Sequence, residues 1–206
     1  MALYPIFLKL EGHKVLVVGG GAIAEQKIEG VLRSANDLTV VSPTLTPRLQ
    51  LWAEQGRLLH VCSEYRPGMA QGYFLVIAAT DCEKTNRAVY DEARSAGTLA
   101  NAVDDPEHCD FYAPALVSRG DFQVAVSTGG KSPALAQRVR KELDLQFGPE
   151  YEGWISWLGR MRESIRSVLP RTESRKELLH LLALCQPARN FNPQNTGGNN
   201  GPFEKG

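Results

Sequence analysis

The sequence predicts an α/β fold in which a doubly wound parallel sheet is followed by a small domain and a C-terminal helical domain. Three observations predict it. Apolar strand-like runs and amphipathic helix-like runs alternate as far as about residue 113, the succession that builds right-handed βαβ units. The first apolar run, Val15-Leu16-Val17-Val18, is continuous rather than alternating, as in a strand covered on both faces of a sheet. That run passes directly into a glycine-rich turn and an amphipathic helix, KVLVVGGGAIAEQKIEGVLR over Lys14 to Arg33.

Taken in order, strands are expected at 14–18, 37–41, 58–62, 73–78 and 98–102, and helices at 22–34, 44–56 and 83–95. A further strand over Phe122 to Ser127 leads through TGGKSP into a helix from Pro133 to Leu145. From Pro149 to Leu184 the pattern is helical throughout. Trp154, Trp157, Leu158, Met161 and Ile165 recur there at helical spacing, and such a stripe reads as core or subunit interface rather than as a ligand box. Residues 187–206 are rich in Asn, Gly and Pro with hardly any aliphatics, and a flexible tail is expected.

Composition sets the bounds. The chain has 206 residues, 43% hydrophobic and 22% charged, enough to bury a real core. Lys plus Arg number 23 and Asp plus Glu number 23, so nothing global points to nucleic acid or an acidic membrane surface. Cys62, Cys82, Cys109 and Cys185 make no CxxC pair, so neither a zinc site nor a disulfide framework is expected. The N-terminus lacks a basic region followed by a long apolar core, and no apolar run reaches the roughly 18 residues of a membrane span. A soluble, cytoplasmic protein with free thiols is the expectation.

The chemistry begins at the glycine turn, Gly19-x-Gly21-x-x-Ala24. Gly19 permits a tight turn, Gly21 lets a pyrophosphate approach the backbone, and Ala24 allows close packing of helix on strand. The helix opening at Ala22 turns its free N–H groups and positive dipole end toward the phosphates, with Ile23 in its first turn. This is a Rossmann-type dinucleotide site. The second strand ends in Ser42, Pro43 and Thr44 without the Asp or Glu that usually meets the adenosine ribose, and no Arg stands there for a 2′-phosphate. NAD is preferred over NADP.

Two further corners fall at the carboxyl edge of the sheet. The fourth strand ends Ala78-Ala79-Thr80-Asp81, where small residues leave room for a flat ring beside a hydroxyl and a carboxylate. Asp81 serves equally well on sequence grounds as the cap of the helix beginning near Glu83. The fifth strand ends Asn101-Ala-Val-Asp104-Asp105-Pro106, an amide and two adjacent carboxylates facing the expected nicotinamide position.

LYPIFLKLEGHKVLVVGGGAIAEQK, AATD, NAVDDP, DFYAPA and VAVSTGGKSPALAQRVR occur in the order and spacing of the precorrin-2 dehydrogenases, and over residues 3–165 the chain resembles that family. This is the family of siroheme-synthase dehydrogenase/ferrochelatase proteins and of the N-terminal module of trifunctional siroheme synthase. The resemblance implies NAD-dependent oxidation of precorrin-2 to sirohydrochlorin, followed in many members by Fe²⁺ insertion in the same cleft. It places nucleotide contacts on Gly21, Ala22, Ile23, Pro43 and Thr44, and the catalytic carboxylate on Asp104, with Asp105 as an adjacent rival. It implies a homodimer, with a Rossmann domain at 1–113, a dimerisation domain at 114–146 and a helical domain at 147–186. The methyltransferase of the trifunctional enzymes has no counterpart in these residues, so precorrin-2 is expected to come from elsewhere.

The substrate carries several ionised carboxylates, so a neutral protein needs a local cationic wall. Lys131 follows the Thr128-Gly129-Gly130 turn, whose backbone N–H groups can meet a carboxylate, and is the preferred residue. Arg138, Arg140 and Lys141 fit a solvated helix face as well, and Arg119 precedes the strand at 122. Oxidation removes a hydride and a proton, and a carboxylate near the nicotinamide can take the proton. No metal cage is expected, because a loop His beside a Cys, as at His108-Cys109-Asp110, is more often incidental than ligating. A rival reading is a NAD-sensing regulatory dimer without tetrapyrrole chemistry. The sequence lacks the basic DNA-reading helix such a sensor would use.

Overall fold

The computed structural model describes residues 3–185 and 187, so the expected tail lies, apart from residue 187, outside the described residues. The chain divides into two compact units, Tyr4–Ala113 and the chain from Pro114 onward.

The first unit is a five-stranded parallel sheet in the order β3-β2-β1-β4-β5. Its strands are β1 (Lys14–Val18), β2 (Asp37–Val41), β3 (Leu59–Val61), β4 (Leu75–Ala78) and β5 (Leu99–Ala102). β1 is central, with Val18 level with Val41 on one side and with Ala78 on the other. Its unbroken apolar run is explained by burial on both faces. Val15 and Val17 pack beneath α1 (Ala22–Val31) and α2 (Pro47–Glu54), while Leu16 and Val18 meet the face covered by α3 (Glu83–Ser95). Each such side chain, fully removed from water, contributes about 1.5–3 kcal/mol.

Two expected helices are shorter in the structure. α1 stops at Val31 rather than 34, because the Ser34 N–H donates to the Val31 carbonyl at 3.0 Å and turns the chain. α2 begins at Pro47 rather than 44. Proline supplies the first helical residue, where its missing N–H costs nothing, and the Thr46 hydroxyl caps the turn by accepting the Leu49 N–H at 3.2 Å. Residues 42–45 are thereby released to form the loop that closes over the glycine turn.

The crossing from β3 to β4, residues 62–74, contains no helix. Glu92 of α3 pins it: its carboxylate accepts the Tyr65 O–H at 2.6 Å and the N–H groups of Gly68 and Ala70, each at 2.8 Å. Burial pushes the Glu92 carboxyl upward, but these three donors outweigh it and hold the group below its ordinary range. Glu92→Gln is expected to cost about 2 kcal/mol at neutral pH, since hydrogen bonds to a charged acceptor are the stronger ones, read as a lower denaturation midpoint. A depressed folded-state value stabilises fully above the ordinary range of an unfolded Glu, and that stabilisation is lost as pH falls through the folded value. Wild type and variant should therefore converge in acid. Equal midpoints at neutral pH would mean that the clamp contributes nothing.

In the second unit, β6 (Ala115–Arg119) and β7 (Phe122–Val126) form an antiparallel hairpin. The apolar pattern predicts a strand at 122–127 and none at 115–119, so β6 is an addition. The two-residue Gly120-Asp121 loop, with Gly120 at φ 58°, is a hairpin signal that could have found it. α4 (Pro133–Gln146) is capped by Ser132, whose hydroxyl accepts the Leu135 N–H at 3.3 Å. The stretch expected to be helical throughout splits into α5 (Glu150–Val168) and α6 (Glu173–Leu184). Pro170 breaks it by forcing Leu169 into extended backbone. Trp154 is buried in α5 and its ring stacks on Trp157, with centroids 4.9 Å apart.

Candidate active site

Where the strand order reverses, between β1 and β4, open α/β sheets hold their ligands outside the carboxyl ends of the strands. Three successive glycines follow β1 at that point, and their surroundings differ. Gly19 sits at φ 121°, and a Cβ there would strike the Ala79 carbonyl, so only glycine fits between β1 and β4. A Cβ on Gly20 would collide with the Thr44 carbonyl and lie 2.7 Å from the Ser42 hydroxyl, so this glycine exists for the close approach of the 42–45 loop. Before Gly21, at φ −83° and ψ −173°, no protein atom lies within 4 Å of a would-be Cβ. Nothing in the protein's own packing requires glycine there.

α1 begins at once. Its first intrahelical bond is Glu25 N–H to the Gly21 carbonyl at 2.9 Å, so the amides of Ala22, Ile23 and Ala24 have no intrahelical acceptor. Gly21, Ala22 and Ile23 are exposed, while Ala24 is buried against the sheet. The one acidic residue of that turn, Glu25, is compensated: it accepts the Thr46 O–H at 2.5 Å and pairs with Arg48 at 3.5 Å. The turn therefore keeps its anion-attracting character, and its open glycine and free amides fit the pyrophosphate of a dinucleotide.

At the end of β2, Ser42 is buried and its hydroxyl donates to the Thr44 carbonyl at 2.7 Å. Ser42 shapes the loop, and Pro43 and Thr44 are the exposed residues. β3 supports the same corner, with a His60 Nε2 contact to the Ser42 carbonyl at 2.9 Å and the Cys62 thiol donating to the Pro43 carbonyl at 3.4 Å.

At the end of β4, the Thr80 hydroxyl donates to Asn86 Oδ1 at 2.7 Å, and Asn86 Nδ2 donates back to the Thr80 carbonyl at 2.9 Å. Asn86 is buried, and it locks the turn. Asp81 is exposed beside it and is not the helix cap, a position that Cys82 occupies. The Cys82 thiol is held below its usual range, chiefly by hydrogen bonding to the Thr85 side chain.

At the end of β5 the two adjacent carboxylates have different fates. Asp105 accepts from His108 Nδ1 at 2.8 Å and Arg87 Nε at 3.3 Å. These partners, His108 foremost, hold its carboxyl below the usual range. Asp104 is exposed, and among the described residues no hydrogen bond or ion pair engages its carboxylate. It is also the one non-glycine residue among them with positive φ, 62°, a conformation costing roughly 1 kcal/mol that Asp and Asn tolerate best. Asn101 spends both amide hydrogens on the following segment, donating to the Phe111 carbonyl at 2.8 Å and to Cys109 Sγ at 3.1 Å. His108, Cys109 and Asp110 are engaged separately: Cys109 with the Ala102 carbonyl at 3.2 Å, and Asp110 with Arg94 at 2.6 Å. Burial pushes the Cys109 thiol upward.

Thr128, Gly129 and Lys131 belong to the second unit. The Thr128 carbonyl accepts the Lys131 N–H at 3.1 Å across two successive left-handed glycines, Gly129 and Gly130, leaving Lys131 exposed.

Residues 6–115 match the family model described as "Putative NAD(P)-binding", and residues 119–144 match the one described as "Sirohaem biosynthesis protein central". Siroheme synthase 1 of Aeromonas salmonicida is 39% identical over 168 residues, 81% of this chain and 36% of the relative. Siroheme synthase of Methylobacillus flagellatus is 38% identical over 176 residues, 85% of this chain and 38% of the relative. The chain thus spans well under half the length of these curated relatives. A solved structure titled SirC, precorrin-2 dehydrogenase, is 30% identical with a TM-score of 0.74, covering 87% of this chain and 89% of that one. The chain belongs to the precorrin-2 dehydrogenase family.

Two residues of this family member were missed in the sequence. Gly20 lies inside the glycine run but outside the x-spaced fingerprint, and its need for a bare Cα arises from a loop more than twenty residues away. Asn86 lies on a helix, and only the fold brings it back onto Thr80.

Proposed function

We propose that this chain oxidises precorrin-2 to sirohydrochlorin with NAD. The observation that carries the reading is an open glycine cradle at the same sheet edge as an unpartnered carboxylate, Asp104. The substrate is inferred from the likeness to SirC over most of both chains. Gly19 sets the turn, and Gly21, Ala22 and Ile23 hold the pyrophosphate. Pro43 and Thr44, shaped by Ser42, line the adenosine ribose, and NAD is favoured over NADP because the 42–45 loop carries no Arg and Arg48 is paired with Glu25 and Glu29. Thr80 and Asp81 border the nicotinamide. NAD bound there supplies the hydride acceptor. Asp104 takes the proton that leaves with the hydride. In the first unit Asn101 offers its side-chain carbonyl oxygen to the macrocycle; in the second unit, taken by itself, the turn of Thr128, Gly129 and Lys131 offers backbone and ammonium groups to the substrate's carboxylates.

Insertion of Fe²⁺ into sirohydrochlorin, which displaces two pyrrole N–H protons, is proposed as a second reaction in which Asp104 again serves as base, with Fe²⁺ as substrate. A cytoplasmic setting is proposed from the free thiols, two of which, Cys62 and Cys82, are exposed. Among the described residues no helix is long and apolar enough to cross a membrane.

The test is an anaerobic assay of the purified protein with precorrin-2 and NAD, following sirohydrochlorin and NADH together, with Fe²⁺ added in a second step. Formation of neither product overturns the reading. NAD binding without any tetrapyrrole binding would favour a redox sensor instead. The protein is also proposed to be a homodimer built through residues 114–146, and sedimentation at micromolar concentration should give twice the chain mass. A monomer there would remove the dimer from the account.

A further inference from the structure

Asp104 keeps an unusual backbone, and among the described residues its side chain has no partner, so its chain neighbours are what hold it. Val103 is tied to β4 through its N–H and the Ala78 carbonyl at 2.9 Å. On the other side Asp105 is anchored five times. Its carboxylate meets Arg87 and His108, its carbonyl accepts the Cys109 thiol at 3.2 Å and the His108 N–H at 3.0 Å, and its own N–H donates to the Ala102 carbonyl at 3.3 Å. The Arg87 guanidinium is itself braced by Glu83 on the same helix, at 2.7 Å, and His108 packs edge-on against the Tyr90 ring, with centroids 5.1 Å apart. Arg87 and Tyr90 belong to α3, and His108 to a short 3-10 turn, Pro106–His108. Residue 104 is thereby held between two fixed points, at the third position of the turn that the Asp105 N–H to Ala102 carbonyl bond closes, and it takes the left-handed conformation there.

We propose that the Arg87–Asp105–His108 cluster is a positioning device that fixes Asp104 in its left-handed conformation and aims its carboxylate outward from the sheet edge. Asp105 therefore acts through its neighbour and touches neither substrate nor cofactor. The inference rests on the proposed role of Asp104, but its structural half stands apart from it. Carboxylates at adjacent positions are nearly indistinguishable in sequence; here one is spent so that the other can be placed. A catalytic group displaced by about 1 Å can lose on the order of a hundredfold in rate.

The experiment uses Asp105→Asn and Arg87→Ala in the full chain, with Glu11→Gln, an exposed residue paired only with Lys9, as control. Asp105→Asn should lower kcat for precorrin-2 oxidation by roughly ten- to a hundredfold, with NAD affinity unchanged. Arg87→Ala should follow with a smaller loss, and Glu11→Gln should keep full kcat. Added to Asp104→Asn, Asp105→Asn should produce no further loss, whereas a residue acting on its own or through general stability would give an additive one. A second readout needs no substrate: the intraresidue HN–Hα NOE of Asp104, strong at positive φ, should weaken in Asp105→Asn. Full kcat in Asp105→Asn, an additive loss in the double variant, or an unaltered NOE would each overturn the proposal. Should the wild type fail to oxidise precorrin-2, the functional reading falls, while the NOE still decides this one.

Discussion

Asp104→Asn lowers precorrin-2 oxidation by about a hundredfold or more, the usual scale for a general base, while NAD affinity stays at the wild-type value. Asparagine keeps the size of the side chain and tolerates the left-handed backbone at φ 62°, so the variant should fold with residue 104 in place. What it removes is the charge and the proton-accepting oxygen. Any chelation of Fe²⁺ should fall in parallel if both reactions use this carboxylate. Full activity in Asp104→Asn alongside an inactive Asp105→Asn would reverse the roles assigned to the neighbours. Full activity in both would send the proton to water or to the substrate's own carboxylates, leaving the protein to work by positioning alone.

Gly21→Val weakens NAD binding by roughly tenfold or more, equivalent to about 1.4 kcal/mol, and leaves the fold intact. The backbone at φ −83° and ψ −173° suits any residue, and the space in front is free of protein atoms, so the branched side chain meets only what binds there. The neighbouring glycines supply the contrast. Gly19→Val would need a positive φ and would strike the Ala79 carbonyl, and Gly20→Val would strike the 42–45 loop, so both should destabilise the protein itself. Calorimetric titration with NAD and a thermal melt separate the two outcomes. Unchanged NAD affinity in folded Gly21→Val would remove the glycine turn from the cofactor site.

Much of this was legible in the sequence. The first-unit strands fall where the apolar runs put them, with β1 and β2 at their expected limits, because a buried strand advertises itself by uninterrupted β-branched residues. Helix starts were less legible. α2 begins three residues late because Pro47 and the Thr46 cap outcompete the apolar periodicity at 44–46. β6 was overlooked because five residues behind Pro114 carry little period of their own, and their pairing with β7 is what makes them a strand. In the aromatic stripe of α5, Trp154 is buried and stacks on a half-buried Trp157.

The sequence by itself determined the class of fold, the glycine turn and its order before a helix, the lack of an acid at the end of β2, and the pair of carboxylates after β5. These are local properties, written in periodicity and in residues whose backbone freedom or charge has meaning within a few positions. Tertiary structure decided the rest. Only there does Gly20 prove to be required by a distant loop, Ser42 turn inward, and Asn86 return to Thr80. Only there do Asp104 and Asp105 become different, because what separates them is a backbone angle and two partners of Asp105, Arg87 eighteen residues back on a helix and His108 three residues ahead.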